Sequence, residues 1–184
     1  MNRRGFLAGV GGSCLTAMSG CFATDVGRTP QVLSLASVDC DPEPLSFEIT
    51  LLDEKLTETD VPKLDITVTN LGKKPVGWTY GGGFGELPFP ERVYSEDDNL
   101  VIGLEEHIQS QLLDTSRGCA RLKHFSAANG FQKTSLEPAE TITNRYAIVG
   151  IAGNYKGVCP EPGSYRMKHG FGDYGKWGFK VKLK

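Results

Sequence analysis

Residues 63–72 read KLDITVTNLG. Leu64, Ile66 and Val68 alternate with Asp65, Thr67 and Thr69, and the run closes on the polar turn Asn70-Leu71-Gly72-Lys73-Lys74. A period of two sends successive side chains to opposite faces of a strand, so one face is apolar and the other wet. The pattern recurs on both sides. In LSFEITLLDE (45–54), Leu45, Phe47, Ile49 and Leu51 alternate with Ser46, Glu48 and Thr50. PVGWTY (75–80) reads as a strand, RVYSEDDNLVIGLEE (92–106) as strand, polar turn and strand, and ETITNRYAIV (140–149) as another strand after Glu137-Pro138. SYRMKH (164–169) follows a Pro-Gly turn. In KWGFKVKLK (176–184), Trp177, Phe179, Val181 and Leu183 face one way and the lysines the other. EEHIQSQLLD (105–114) comes nearest to a helix and reads equally well as a strand. Short strands at this spacing, with 23 Gly and 10 Pro in the chain, predict an all-β, single antiparallel β-sandwich.

The N-terminus has a different grammar. Residues 2–21 read NRRGFLAGVGGSCLTAMSGC, and their glycines and serines argue against a transmembrane helix. Arg3 and Arg4, a short apolar stretch and small residues before a cysteine form an export signal. Arg3-Arg4-Gly5-Phe6-Leu7 resembles the twin-arginine signal, whose family exports folded proteins. Met18-Ser19-Gly20-Cys21 resembles a lipobox, which implies cleavage before Cys21 and a lipid on its thiol. The expected location is the extracytoplasmic face of the cell membrane. Residues 1–20 then form the signal, 21–44 a lipidated cysteine and flexible tether, and 45–184 the sandwich; within the tether only VLSLASV looks able to pair.

Charge narrows the partners. The chain has 20 basic and 22 acidic groups, and the signal carries two arginines and no acid, so the processed form has a net charge of −4. No nucleic-acid partner is expected from that balance.

The order of the TVTNLG turn, LEPAETITNRY, a Cys-Pro-x-Pro-Gly run and SYR resembles immunoglobulin-like domains in predicted lipoproteins of halophilic archaea. The resemblance covers residues 45–184 and implies an immunoglobulin-like sandwich; Ala139 stands where that family usually has glycine. A looser likeness runs to exported proteinase-inhibitor-like domains. With Cys14 removed and Cys21 lipidated, Cys40, Cys119 and Cys159 remain. The last two match the family's cysteine pair and are expected to form a disulfide, worth about 3–4 kcal/mol in the chain-entropy model. Cys40 is left over, either free or joined to another molecule. The family brings no activity with it.

Motifs for catalysis are missing: there is no G-x-S-x-G, H-E-x-x-H or phosphate-binding loop, and no cofactor or metal is expected. Glu96-Asp97-Asp98-Asn99 reads as a solvated turn more readily than a calcium site. Glu105, Glu106 and His107 do not converge if they lie on a strand. The expectation is therefore a lipid-anchored accessory or binding module with an envelope protein or glycan partner; the alternative is an exported enzyme assembled from distant residues. The aromatic-glycine stretch WTYGGGFGELPFP (78–90) is the expected binding surface through Tyr80, Phe84 and Phe89, with Trp78 in the core. The lysine row at 176–184 reads first as protection of an edge strand, second as a contact for acidic groups near the membrane.

Overall fold

The computed structural model describes residues 30–81, 86–110, 113–116, 118–123, 131–152 and 159–184. Arg3, Arg4, Phe6, Leu7, Cys21 and Phe84 lie outside them. The elements are β1 (Gln31–Val38), β2 (Leu45–Asp53), β3 (Lys55–Leu56), β4 (Lys63–Asn70), β5 (Val76–Gly81), β6 (Arg92–Tyr94) and β7 (Leu100–Leu104). After them come α1 (Glu105–Ser110), β8 (Leu113–Asp114), β9 (Arg121–Leu122), β10 (Phe131–Leu136), β11 (Thr141–Ile151), β12 (Gly163–Gly170) and β13 (Lys176–Leu183).

The strands form an all-β, sandwich-like arrangement. One layer runs β2-β4-β11-β7-β6, with β9 beside β11 and β8 beside β9. The other runs β12-β13-β1-β3, and β10 with β5 makes a separate ribbon. Described pairings are antiparallel except β9 with β11. Between the layers Phe47 of β2 stacks on Trp177 of β13 at 4.1 Å, and Trp78 of β5 meets Phe171 at 5.6 Å. Trp78 is buried, as the sequence predicted.

The structure corrects one reading and adds two elements. Residues 31–38 are not tether: β1 hydrogen-bonds along β13, with Leu33 opposite Leu183 and Leu35 opposite Val181. Its prolines on either flank give it the look of a linker, and its partner lies at the far end of the chain. Residues 105–110 are helical. The ribbon strand β10, unread in the sequence, pairs with β5 over its full length.

At the heart of the core lies a segment with no strand. Leu87, Pro88, Phe89, Pro90 and Glu91 are all buried. Phe89 is fully buried, with ring centroids of Tyr146, His169, Phe171, Trp177 and Phe179 between 5.8 and 6.3 Å away. Buried peptide groups need partners. The two prolines remove two N–H donors. Thr134 accepts from Leu87 N–H and donates to Leu87 C=O, both at 2.9 Å. Tyr146 donates its phenol to the Phe89 carbonyl, and Leu104 N–H reaches Glu91 C=O at 3.0 Å. Burial pushes the Tyr146 phenol well above its ordinary range.

Asn70 anchors the strand ends. It is buried, donates to Lys74 C=O (2.9 Å) and Leu136 C=O (3.0 Å), and accepts from Gly72 N–H (2.8 Å). Its own carbonyl takes the N–H of Ala139 at 2.8 Å. Ala139 has φ of 64°, the left-handed region that glycine enters without strain and that costs alanine about 1–2 kcal/mol.

Two outcomes are expected. Phe89→Ala should destabilise the domain by about 3–5 kcal/mol through its cavity, and Thr134→Val by about 1–3 kcal/mol by stranding two peptide groups of Leu87; denaturant titration of each variant checks both. His169 is lowered in pKa by burial. The unfolded chain then binds a proton that the fold refuses, so stability falls as pH drops through about 6.5 towards the lower folded value. Thermal midpoints across that window should fall less steeply for His169→Leu.

Candidate functional site

Of the contact surface expected at residues 78–90, Tyr80 and Phe89 are buried, and Phe84 lies outside the described residues. Tyr80 is 2% exposed and Phe89 fully buried. Phe89 points inward because the LPFP segment crosses the core instead of bulging from it. Burial raises the pKa of the Tyr80 phenol, which also hydrogen-bonds Thr134 and so belongs to the same buried network. These rings hold the fold and are not available to a partner.

The lysine row takes their place. Along β13 the alternation buries Trp177, Phe179, Val181 and Leu183 and exposes Lys176, Lys180, Lys182 and the following Lys184. The edge-protection reading fails, because β13 is an inner strand paired on one side with β12 and on the other with β1. The lysines therefore stand on the open face of a sheet. Register adds to them: Arg166 of β12 lies directly opposite Lys180, Ser164 opposite Lys182, and Lys168 opposite Gly178. From β1, Ser34 faces Lys182 and Ser37 faces Lys180. At Gly178 an added Cβ would lie 2.1 Å from Met167 C=O and 2.9 Å from Lys168 Cα, so only glycine lets β12 close on β13 there.

The electrostatics are mainly basic, with the acids Asp39 and Glu96 both acting on Arg166. Arg166 donates to Asp39, and that hydrogen bond raises its pKa further against the opposing cost of burial. No described acid forms an ion pair with Lys168, Lys176, Lys180, Lys182 or Lys184. Two cations directly across a sheet repel. A chain with a net negative charge has thus gathered positive charge on one outer surface.

Other groups are placed as follows. The Glu96–Asn99 turn is closed on itself: Ser95 Oγ donates to Asp97 at 2.6 Å and Asn99 to Asp97 at 3.0 Å. Burial opposes ionisation of Asp97, but these bonds outweigh it and lower its pKa. Glu105 pairs with Lys63 at 2.6 Å. The helix turns His107 towards Glu91, a buried acid that sequence reading missed, with Nδ1 2.9 Å from its carboxylate. A carboxylate so placed orients an imidazole, as acid–base histidines require. Yet His107 Nε2 faces the exposed Glu106 carboxylate at 3.7 Å. No sequence signal joins Glu91 to His107, since the contact needs the helix.

Cys119 and Cys159, 40 residues apart, form a disulfide with Cα atoms 6.0 Å apart, as expected. Cys40 is exposed and free. Beside the disulfide lies a cavity of about 310 Å³ lined by Pro30, Gln31, Cys159, Pro160, Glu161 and Lys184 among others. Gln31 crosses its wall to donate to Pro160 C=O at 2.7 Å. Among the described residues no group of three or more His, Cys, Asp or Glu is set to hold a metal ion. No helix among them is long and apolar enough to cross a membrane.

Against known families, the chain belongs to the one described as Domain of unknown function (DUF8130), whose model matches residues 1–174. No curated protein and no solved structure matches it.

The cationic face makes a prediction of sign. Lys180→Glu puts an acid directly opposite Arg166 and should stabilise the domain by about 0.2–1 kcal/mol, read as a raised denaturation midpoint. A fall would mean that the Lys180 ammonium is compensated by its surroundings.

Proposed function

We propose that this chain is an exported lipoprotein, cut before Cys21, whose sandwich is a non-catalytic accessory or binding module at the outer face of the cell membrane. The observation that carries the reading is the N-terminal layout: twin arginines at 3 and 4, Phe6 and Leu7, an apolar stretch and small residues before Cys21. Two findings support it. The Cys119–Cys159 bridge suits an oxidising compartment. The family's model starts at residue 1, so the N-terminal stretch and the sandwich travel together.

The contact surface of the module is the face bearing Arg166, Lys168, Lys176, Lys180, Lys182 and Lys184, in place of the aromatic loop. A second reading, an exported enzyme, draws only on the Glu91–His107 pair. The cavity beside the disulfide is lined by neither residue. Non-catalytic binding is therefore preferred.

Expression in a host with both export routes tests the address. Arg3→Lys with Arg4→Lys should leave the precursor inside the cell, and Cys21→Ser should abolish incorporation of labelled fatty acid. Lipid labelling that survives Cys21→Ser would exclude the lipobox.

A further inference from the structure

We propose that the outer face of β12, β13 and β1 is the surface by which the domain lies flat on anionic phospholipid headgroups. The proposal deepens the lipoprotein reading and rests on it for the anchor. Three observations carry it.

The first is charge. Lys168, Lys176, Lys180, Lys182 and Lys184 share this face with Arg166; among the described acids Asp39 forms an ion pair with Arg166 and Glu96 acts on it electrostatically, and neither forms an ion pair with the lysines. Cations near an anionic bilayer are attracted additively over about a Debye length. A planar sheet brings several of them within that range together.

The second is what the face lacks. Its outward positions on β12 and β13 are Ser, Arg, Lys and Gly, and those on β1 are Val32, Ser34 and, past a bulge, Ser37. None carries an aromatic ring. Protein interfaces are depleted of lysine and enriched in aromatics. Long lysine stems over small serines suit a fluid layer of phosphates, where compact ammonium groups reach outward without a fixed geometry.

The third is where the chain enters the fold. Val32 and Lys184 exchange backbone hydrogen bonds in both directions, each at 3.0 Å. The start of β1 is therefore fixed beside one end of the lysine row. Eight residues lie between Cys21 and Pro30. Whatever path they take, they span at most about 30 Å. A lipid on Cys21 holds this end of the face close to the bilayer, and the lysines supply the second attachment that a single anchor benefits from.

The test uses the full chain carrying Cys21→Ser, so that no lipid on the chain contributes. Binding is measured by flotation on vesicles of phosphatidylcholine alone, and of phosphatidylcholine with phosphatidylglycerol at roughly three to one. Binding to the mixed vesicles should be at least about tenfold tighter, and should fall at least about tenfold in Lys180→Glu with Lys182→Glu. Raised salt should weaken it. A control pair at the β4–β5 turn, Lys73→Glu with Lys74→Glu, should bind as the parent does. Thermal denaturation of each variant confirms that it is folded, which keeps a lost fold distinct from a lost surface. Equal binding to both vesicles, or equal loss in the control pair, overturns the proposal. So does tight capture of a soluble acidic polysaccharide with no preference for anionic vesicles, which would assign the face to an envelope glycan. Because Cys21 is absent from this assay, failure here leaves the lipoprotein reading to stand or fall on fatty-acid labelling alone.

Discussion

A peptide segment that crosses an apolar core without a strand partner must still satisfy its hydrogen-bonding groups. Residues 87–91 meet that constraint at the centre of this sandwich. Proline at two of five positions lowers the number of donors to be matched, and the clasp of Thr134 on Leu87 answers one residue at both its polar atoms. Tyr146 closes the next carbonyl. Phe89 can then occupy the middle of the aromatic cluster, touching rings from β11, from β13 and from the turn after β12. The ribbon of β5 and β10 is held to the rest through the same clasp, since Thr134 belongs to β10. Without this segment the two layers would enclose a void where five rings now meet.

The stabilising alternation that builds β13 also produces its lysines, but nothing in the packing demands their charge. Threonine or serine in their place would cover the sheet equally well, as Thr67 and Thr69 do on the other layer, where they hydrogen-bond Thr143 and Thr141 at 2.8 and 2.9 Å. The two outer faces thus differ in kind. One is a hydroxyl ladder of mixed charge, with the Arg145–Asp65 pair at 2.9 Å, the Lys63–Glu105 pair at 2.6 Å and Glu48 opposite Thr67. The other is mainly basic, with Asp39 paired to Arg166. A domain lying on its basic face turns the hydroxyl ladder away from the membrane.

Most of the fold was legible where period-two patterns are long and one-sided. β2, β4 and β13 bury alternate residues over much of their length, and local sequence carries that information. β1 was obscured because its pairing partner lies about 140 residues away and its prolines are typical of linkers. The six-residue helix α1 is too short to display a helical period. The candidate site was misread for a more general reason. Exposed and buried aromatics look alike in a glycine- and proline-rich run; only the hydrogen bonds from Thr134 and Tyr146, contributed from far along the chain, decide that Phe89 goes inward. Conversely, the lysine row was visible but its setting was not: composition cannot tell an edge strand from an inner one.

The partnership of the first and last strands also bears on when the domain becomes a domain. β13 is the shared neighbour of β12 and β1, so until its residues have left the ribosome β12 lacks its strand partner, β1 has only the two-residue β3, and Trp177, Phe179 and Val181 are absent from the core. Pairings of such high sequence separation form late and slowly. Folding of the sandwich therefore waits for β13. A polypeptide threaded through a membrane during synthesis would have to complete that closure on the far side, whereas one carried across already folded needs only enough time in the cytosol for the last strand to slot between its neighbours.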